Sequence, residues 1–194
     1  MRLSFAAVAL LVTNWVSAGT TADAAPCLIV TLTGTQGGPQ SFNGLAGAGT
    51  LLRYGDDANG CAAVKLQFDA GRGTTMRLSQ LGIGPEQLDA VFFTHMHNDH
   101  TDGFADMVQL RWSFNAIGPK LDVVCSTDAV SPLGVTISCN KFTEHIADAF
   151  IQSGEIAQRH SGLRPKGWTG LGGSFDRLPS VVVLELRGAQ VAER

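Results

Sequence analysis

The sequence carries no surplus of charge of either sign. Fourteen Lys and Arg are set against seventeen Asp and Glu in 194 residues, a net −3. Nucleic-acid surfaces need Lys and Arg clustered on one face, so a nucleic-acid partner is not expected, although bound cations would still admit a polyanionic substrate. An apolar run of the ~20 residues that span a bilayer is also missing. The longest, from about Leu3 to Val16, is interrupted by Thr13 and Asn14, which argues against stable membrane insertion. None of the four cysteines has CxxC spacing, and this excludes the usual cysteine-based zinc and redox motifs. Internal repeats and low-complexity tracts are absent too. Charged residues make up only 16% of the chain against 44% hydrophobic, a balance that suits one globular domain with a real core.

The N-terminus has Arg2, the apolar stretch and then small residues, the plan of a secretory signal peptide. Ala22-Asp23-Ala24 offers a cleavage site, with Val16-Ser17-Ala18 as a second possibility, so residues 1–24 are expected to be removed on export, most simply to a bacterial periplasm. Export makes the cysteines candidates for disulfides. If CLIVTLTG and GTLLRYG are neighbouring antiparallel strands, Cys27 approaches the loop carrying Cys61. Cys125 and Cys139 lie on consecutive extended segments and form a second candidate pair. Four small buried apolar residues are the alternative.

Alternation and β-branching predict a strand from Cys27 to Gly34, followed by a Gly-rich loop. GTLLRYG and AAVKLQFDAG complete a β-meander, with DDANGC as the intervening turn. RGTTMRLSQLGI reads as a short helix ending near Gly82. Leu88 to His95 is an almost wholly apolar strand of the kind buried on both faces. Thr101 or Asp102 can cap a helix through about Phe114, in which Phe104, Met107, Val108 and Arg111 or Trp112 recur at helical spacing. LDVVCS and Gly134 to Ser138 read as strands, KFTEHIADAFIQSGEIAQRH as a helix and SVVVLELRG as a last strand. Strands alternating with helices indicate a layered α/β fold.

Three of the five histidines stand within six positions, in FFTHMHNDHTDG. Residues two apart on a strand project to one side, so His95 and His97 can share one metal at a strand end. Asp99 and His100 follow at the turn into a helix and can reach a second position. Imidazole nitrogens and carboxylate oxygens are zinc ligands, and a metal pair activates water for hydrolysis. A polar loop with surface histidines is the plainer alternative, but it leaves the apolar strand and the spacing unexplained.

This run, T-H-M-H-N-D-H-T-D-G, resembles the HxHxDH motif of the metallo-β-lactamase-fold hydrolases, and FDAG at 68–71 resembles their D-x-G turn. The opening TLTGTQGGPQ…LAGAGTLLRYG is similar to the ribonuclease Z-like and arylsulfatase-like branch. The resemblance implies an αββα sandwich of which residues 25–161 supply the N-terminal half, with residues 162–194 an atypical tail consistent with truncation or a frame shift. It also implies two zinc ions: His95 and His97 on the first, Asp99 and His100 on the second, with Asp99 handling the proton of the attacking hydroxide. Asp69 would orient the metal loop, the alternative being a plain turn cap. Asp102 would support the cluster as a helix cap rather than as a ligand.

The remaining family ligands would come from the second half. Only His145 and His160 are left, and both read better as surface or packing residues. The implied activity is hydrolysis of a small phosphate or sulfate ester. A truncated, inactive metal-binding remnant is the alternative, and a homo-oligomer would cover the sheet face left open.

Overall fold

The computed structural model describes residues 24–38, 40–115, 121–153, 156 and 182–186. The expected leader, apart from Ala24, and His160 lie outside these residues, as does most of the C-terminal tail.

Three strands, β1 (Pro26–Gly34), β2 (Gly49–Asp56) and β3 (Val64–Phe68), form an antiparallel meander. The chain then crosses over through α1 (Thr74–Gln80) and a 3-10 turn (Pro85–Gln87) into β4 (Ala90–Phe92), which lies parallel to β3. A single helical turn, α2 (Asn98–Thr101), precedes α3 (Phe104–Asn115), and β5 (Asp122–Ser126) returns parallel to β4. A small hairpin follows, β6 (Ala129–Val130) with β7 (Thr136–Ile137), then α4 (Cys139–Ala147) and a π-helical turn (Asp148–Gln152). Last comes β8 (Val182–Leu186), parallel to β5, giving a six-stranded sheet in the order β1-β2-β3-β4-β5-β8.

Among the described residues, the helices pack on one face of the sheet. Leu51, Gln67, Val91 and Val123, on four successive strands, are completely buried there. Against them pack Leu78 of α1 and Phe104, Met107, Val108 and Trp112 of α3, together with Cys139 of α4 and Ile151 of the π turn. Burying side chains of this size stabilises by roughly 1.5–3 kcal/mol each relative to exposure, before the cost of ordering them. Arg111 is drawn into the same layer because its guanidinium donates to the carbonyls of Pro85 and Leu88, at 2.8 and 2.9 Å. Burial pushes its pKa below the usual arginine value, against the opposing pull of Asp89, Glu86 and Asp122.

The opposite face begins with Leu28, Val30 and Leu32 of β1, which are 58%, 59% and 67% exposed, and Tyr54 of β2. In register it continues through Leu52, Leu66 and Phe68 to Phe92, whose ring stacks on that of Phe68 at 4.7 Å.

Several expectations shift in detail. The apolar segment Leu88–His95 pairs as a ladder only over Ala90–Phe92, because Leu88 closes the 3-10 turn and Thr94 bonds a carboxylate instead of a neighbouring strand. The segment 134–138 does not join the main sheet. It folds back on residues 129–130, where Gly134 adopts a left-handed φ of 77° and the backbones of Ser131 and Val135 pair. Helix α3 is not opened by a side-chain cap from Thr101 or Asp102. Gly103 accepts from the Met107 N–H, Thr101 donates to the His97 carbonyl, and the Asp102 carboxylate meets Arg72 at 3.1 Å.

Candidate metal centre

The parallel strands β3, β4 and β5 end at one edge of the sheet, and the cluster is built there. At the end of β3, Asp69 takes a left-handed conformation (φ 56°) while its N–H donates to the Phe92 carbonyl at 2.7 Å. This turns its side chain toward the segment leaving β4. Asp and Asn tolerate that conformation better than other residues with a Cβ. Beyond β4 the chain bends at Thr94, is extended at His97, and enters the helical turn at Asn98. His95 and His97 thus precede the turn, and Asp99 and His100 lie in it.

The side chains meet. The ring centroids of His95 and His97 are 4.4 Å apart, those of His95 and His100 are 4.0 Å apart, and His100 Nε2 lies 3.6 Å from Asp99 Oδ2. Behind them Asp69 is the common acceptor. Its carboxylate takes the Thr94 N–H at 2.8 Å and the Thr94 hydroxyl at 2.9 Å, and lies 2.9 Å from His100 Nδ1. Thr94 Oγ1 is in turn 3.1 Å from His95 Nδ1. A hydroxyl has a single proton to give. If Thr94 gives it to Asp69, its oxygen is left to accept from His95 Nδ1–H. In that arrangement both Nδ1 atoms carry the proton and each Nε2 keeps a lone pair, as in the outer-sphere support of metal-ligating histidines. Thr94 does not stand out in the sequence: it falls inside the predicted strand Leu88–His95, and its only signal is its place directly before the HxH run.

Asp99 is buried and accepts from the Gly38 N–H at 2.7 Å, a contact that brings the Gly-rich loop over the cluster. Desolvation by burial raises its pKa. The Gly38 amide, its own amide and the His100 and His97 imidazoles act the other way and prevail, so it stays below the ordinary carboxylate value. It is held as an anion and acceptor.

Backbone packing fixes this geometry. A Cβ on Gly71 would stand 2.2 Å from the Asp99 carbonyl oxygen, one on Gly47 2.8 Å from the same atom, and one on Gly103 2.3 Å from the Gly71 carbonyl. The loops from three parts of the chain meet so closely that only glycine fits. Amides tie them as well: Ala70 donates to the His100 carbonyl at 2.7 Å and Gly103 to that of Ala70 at 2.9 Å.

In kind, the donors suit a divalent cation: three imidazoles and an ionised carboxylate, with a carboxylate and a hydroxyl behind them. Among the described residues, however, no three His, Cys, Asp or Glu side chains converge in a geometry that would hold a metal. His145 is exposed on α4, and Asp102 is engaged by Arg72 outside the cluster. The cysteines form two disulfides, Cys27–Cys61 and Cys125–Cys139, with Cα separations of 5.5 and 6.4 Å.

Comparison with known proteins adds relatives to this geometry. The family described as anti-Pycsar protein Apyc1 matches residues 60–144. Ribonuclease Z of Mycolicibacterium gilvum is 36% identical over 86 residues, 44% of this chain and 27% of that protein. Ribonuclease Z of Mycobacterium bovis is 36% identical over 88 residues, 45% and 29% of the two chains. The matched region thus spans less than a third of the length of these relatives. Among solved structures, the short form of human tRNase Z aligns over 61% of this chain and 38% of its own, with a TM-score of 0.46 at 18% identity. The metallo-β-lactamase fold protein YhfI of Bacillus subtilis aligns over 60% and 42%, with a TM-score of 0.45 at 23% identity. The chain is thus similar in sequence to ribonuclease Z over 86–88 residues, the family match at 60–144 takes in the histidine cluster, and its own architecture is mixed α/β.

Proposed function

We propose that the protein is a zinc-dependent hydrolase of a small phosphate or sulfate ester. The observation that carries this reading is the Asp69 carboxylate, which contacts His100 Nδ1 directly and His95 Nδ1 through the Thr94 hydroxyl, with His100 Nε2 3.6 Å from the Asp99 carboxylate. Surface histidines have no use for such support. A bound zinc pair supplies a nucleophilic hydroxide near neutral pH and stabilises charge on the ester oxygens. His95 and His97 would hold one ion, and Asp99 and His100 the other. Asp99, kept anionic, would handle the proton of the attacking hydroxide, while Asp69 and Thr94 hold the His100 and His95 rings. The second half of the ligand set is assigned to residues beyond the cluster.

The two disulfides favour an oxidising compartment and so support export, as the leader-like N-terminus suggests. In such a compartment a small-molecule ester is a better substrate than a cytoplasmic RNA. The lack of a converging three-ligand group among the described residues favours a second reading, a remnant that binds metal weakly and does no chemistry.

Hydrolysis of bis(p-nitrophenyl) phosphate and p-nitrophenyl sulfate by zinc-loaded protein separates the two. Turnover that His97→Ala removes supports the hydrolase. Metal binding without turnover by the wild type supports the remnant.

A further inference from the structure

Helix α1 buries Thr74, Thr75 and Leu78. Outside that core face, Gly73, Met76, Arg77 and Gln80 recur at helical spacing and so lie on one side. Facing them is the Gly-rich loop, and between the two runs a cleft of about 460 Å³ that also takes in Arg72. Its volume is in the range of small-molecule sites. Backbone bonds fix the loop wall: Gln36 donates to the Ala46 carbonyl at 2.9 Å, Leu45 to that of Phe42 at 2.8 Å and Gly47 to that of Arg72 at 2.9 Å. The cleft is therefore formed before anything enters it.

Apolar walls surround an uncompensated charge. Met76 is 69% and Leu45 44% exposed, so both can still bury surface against a ligand. Arg72 is offset by Asp102, 3.1 Å from its Nε, and its guanidinium also donates to Ser41. Arg77 differs. It donates to two neutral groups, Gln80 Oε1 at 3.0 Å and the Gly44 carbonyl at 3.1 Å, and among the described residues no carboxylate pairs with it. Those bonds use two of the five N–H donors of a guanidinium, which leaves a fork of the kind that takes a carboxylate. Gln80 accepts from Arg77 through its oxygen, so its amide N–H groups can donate to the same ligand. Two arginines against one aspartate leave a surplus of positive charge that suits a monoanion, whereas a dianion would also be repelled by Asp102.

We propose that this cleft binds a small carboxylate with a compact apolar body. Arg77 and Gln80 take the carboxylate, and Leu45 and Met76 cover the apolar part. None of the residues lining the cleft belongs to the histidine cluster, so the site is additional to the proposed hydrolytic one and stands without it.

The probes are benzoate, its neutral isostere benzamide, and acetate, titrated into isotope-labelled, zinc-loaded protein and followed by amide chemical shifts. Benzoate should give saturable shifts at Gly44, Leu45, Gly73 and Arg77, at lower concentration than either of the other two. Arg77→Gln and Met76→Glu should each weaken benzoate about tenfold, because charge-assisted hydrogen bonds are the strong ones. Met76→Glu puts a competing carboxylate at an exposed position without removing the Arg77 donors that hold Gly44, so it separates loss of the site from release of the loop. The absence of saturable shifts, equal affinity for benzamide or acetate, or unchanged affinity in either variant overturns the proposal. Shifts confined to residues 95–100 would overturn it as well, by assigning the carboxylate to bound zinc.

Discussion

Asp69 organises the cluster without being one of its proposed ligands. Its carboxylate serves Thr94 and His100 together, and through the Thr94 hydroxyl it reaches His95. Asp69→Asn keeps a residue that accepts the left-handed backbone but loses the charge that holds the Nδ1 protons. Zinc affinity should fall by roughly 10–100-fold, the usual effect of losing an outer-sphere partner, with the fold retained; titration against a competing chelator measures it, and unchanged affinity would remove Asp69 from the site. Asp99 makes a separate prediction through pH. Its folded pKa lies below the ordinary value of 3.8, so the folded state favours the anion. The stability this adds is fully present above that value and is lost as pH falls through the lower folded pKa. In metal-free protein, Asp99→Asn should flatten the acid limb of a stability-against-pH curve below about pH 4, as followed by urea unfolding. An identical limb in both proteins would show that the Gly38 contact leaves the carboxylate unperturbed.

At the scale of elements, the site depends on how closely three loops approach. Gly71→Ala places a Cβ against the Asp99 carbonyl and Gly47. Backbone cannot yield as a side chain can, so a loss of about 2–4 kcal/mol is expected, and chemical denaturation reads it. A loss under about 0.5 kcal/mol, the range of a neutral surface change, would contradict the close packing. The Cys125–Cys139 link closes a short loop and should contribute about 3 kcal/mol. Replacing both cysteines with Ser should lower the unfolding midpoint accordingly, whereas no change would show that the hairpin stem holds itself.

Much of this scale was legible in the sequence. The meander, the helix bearing Phe104, Met107 and Trp112, and the strand at 122–126 follow from alternation and helical periodicity. Less legible were features set by partners distant along the chain. Nothing local announces that Asp102 turns to Arg72 instead of capping α3, or that Thr136–Ile137 pairs with Ala129–Val130 in a separate hairpin. Thr94 is the clearest case at the site. Its β-branch fits a strand, and its hydroxyl gains meaning only once Asp69 stands opposite it. The Gly38 contact with Asp99 spans 61 positions and likewise has no local signature.

For the molecule as a whole, the sheet is lopsided. Helices bury one face, while Leu28, Val30, Leu32 and Tyr54 stand exposed on the other, next to β1, the edge strand of the sheet among the described residues. Apolar faces and open edges of this kind drive association. The chain should therefore self-associate with rising concentration, and Val30→Lys should reduce this; light scattering across a concentration series tests it, and a monodisperse wild type would contradict it.

Metal binding by the histidine cluster is read from elemental analysis of zinc in folded wild type and His95→Ala/His97→Ala after dialysis against metal-free buffer. At least about one ion per wild-type chain is expected, since these residues serve the first half of a dinuclear site, with a clear loss in the variant. Equal zinc in the two proteins, or none in the wild type, would contradict it.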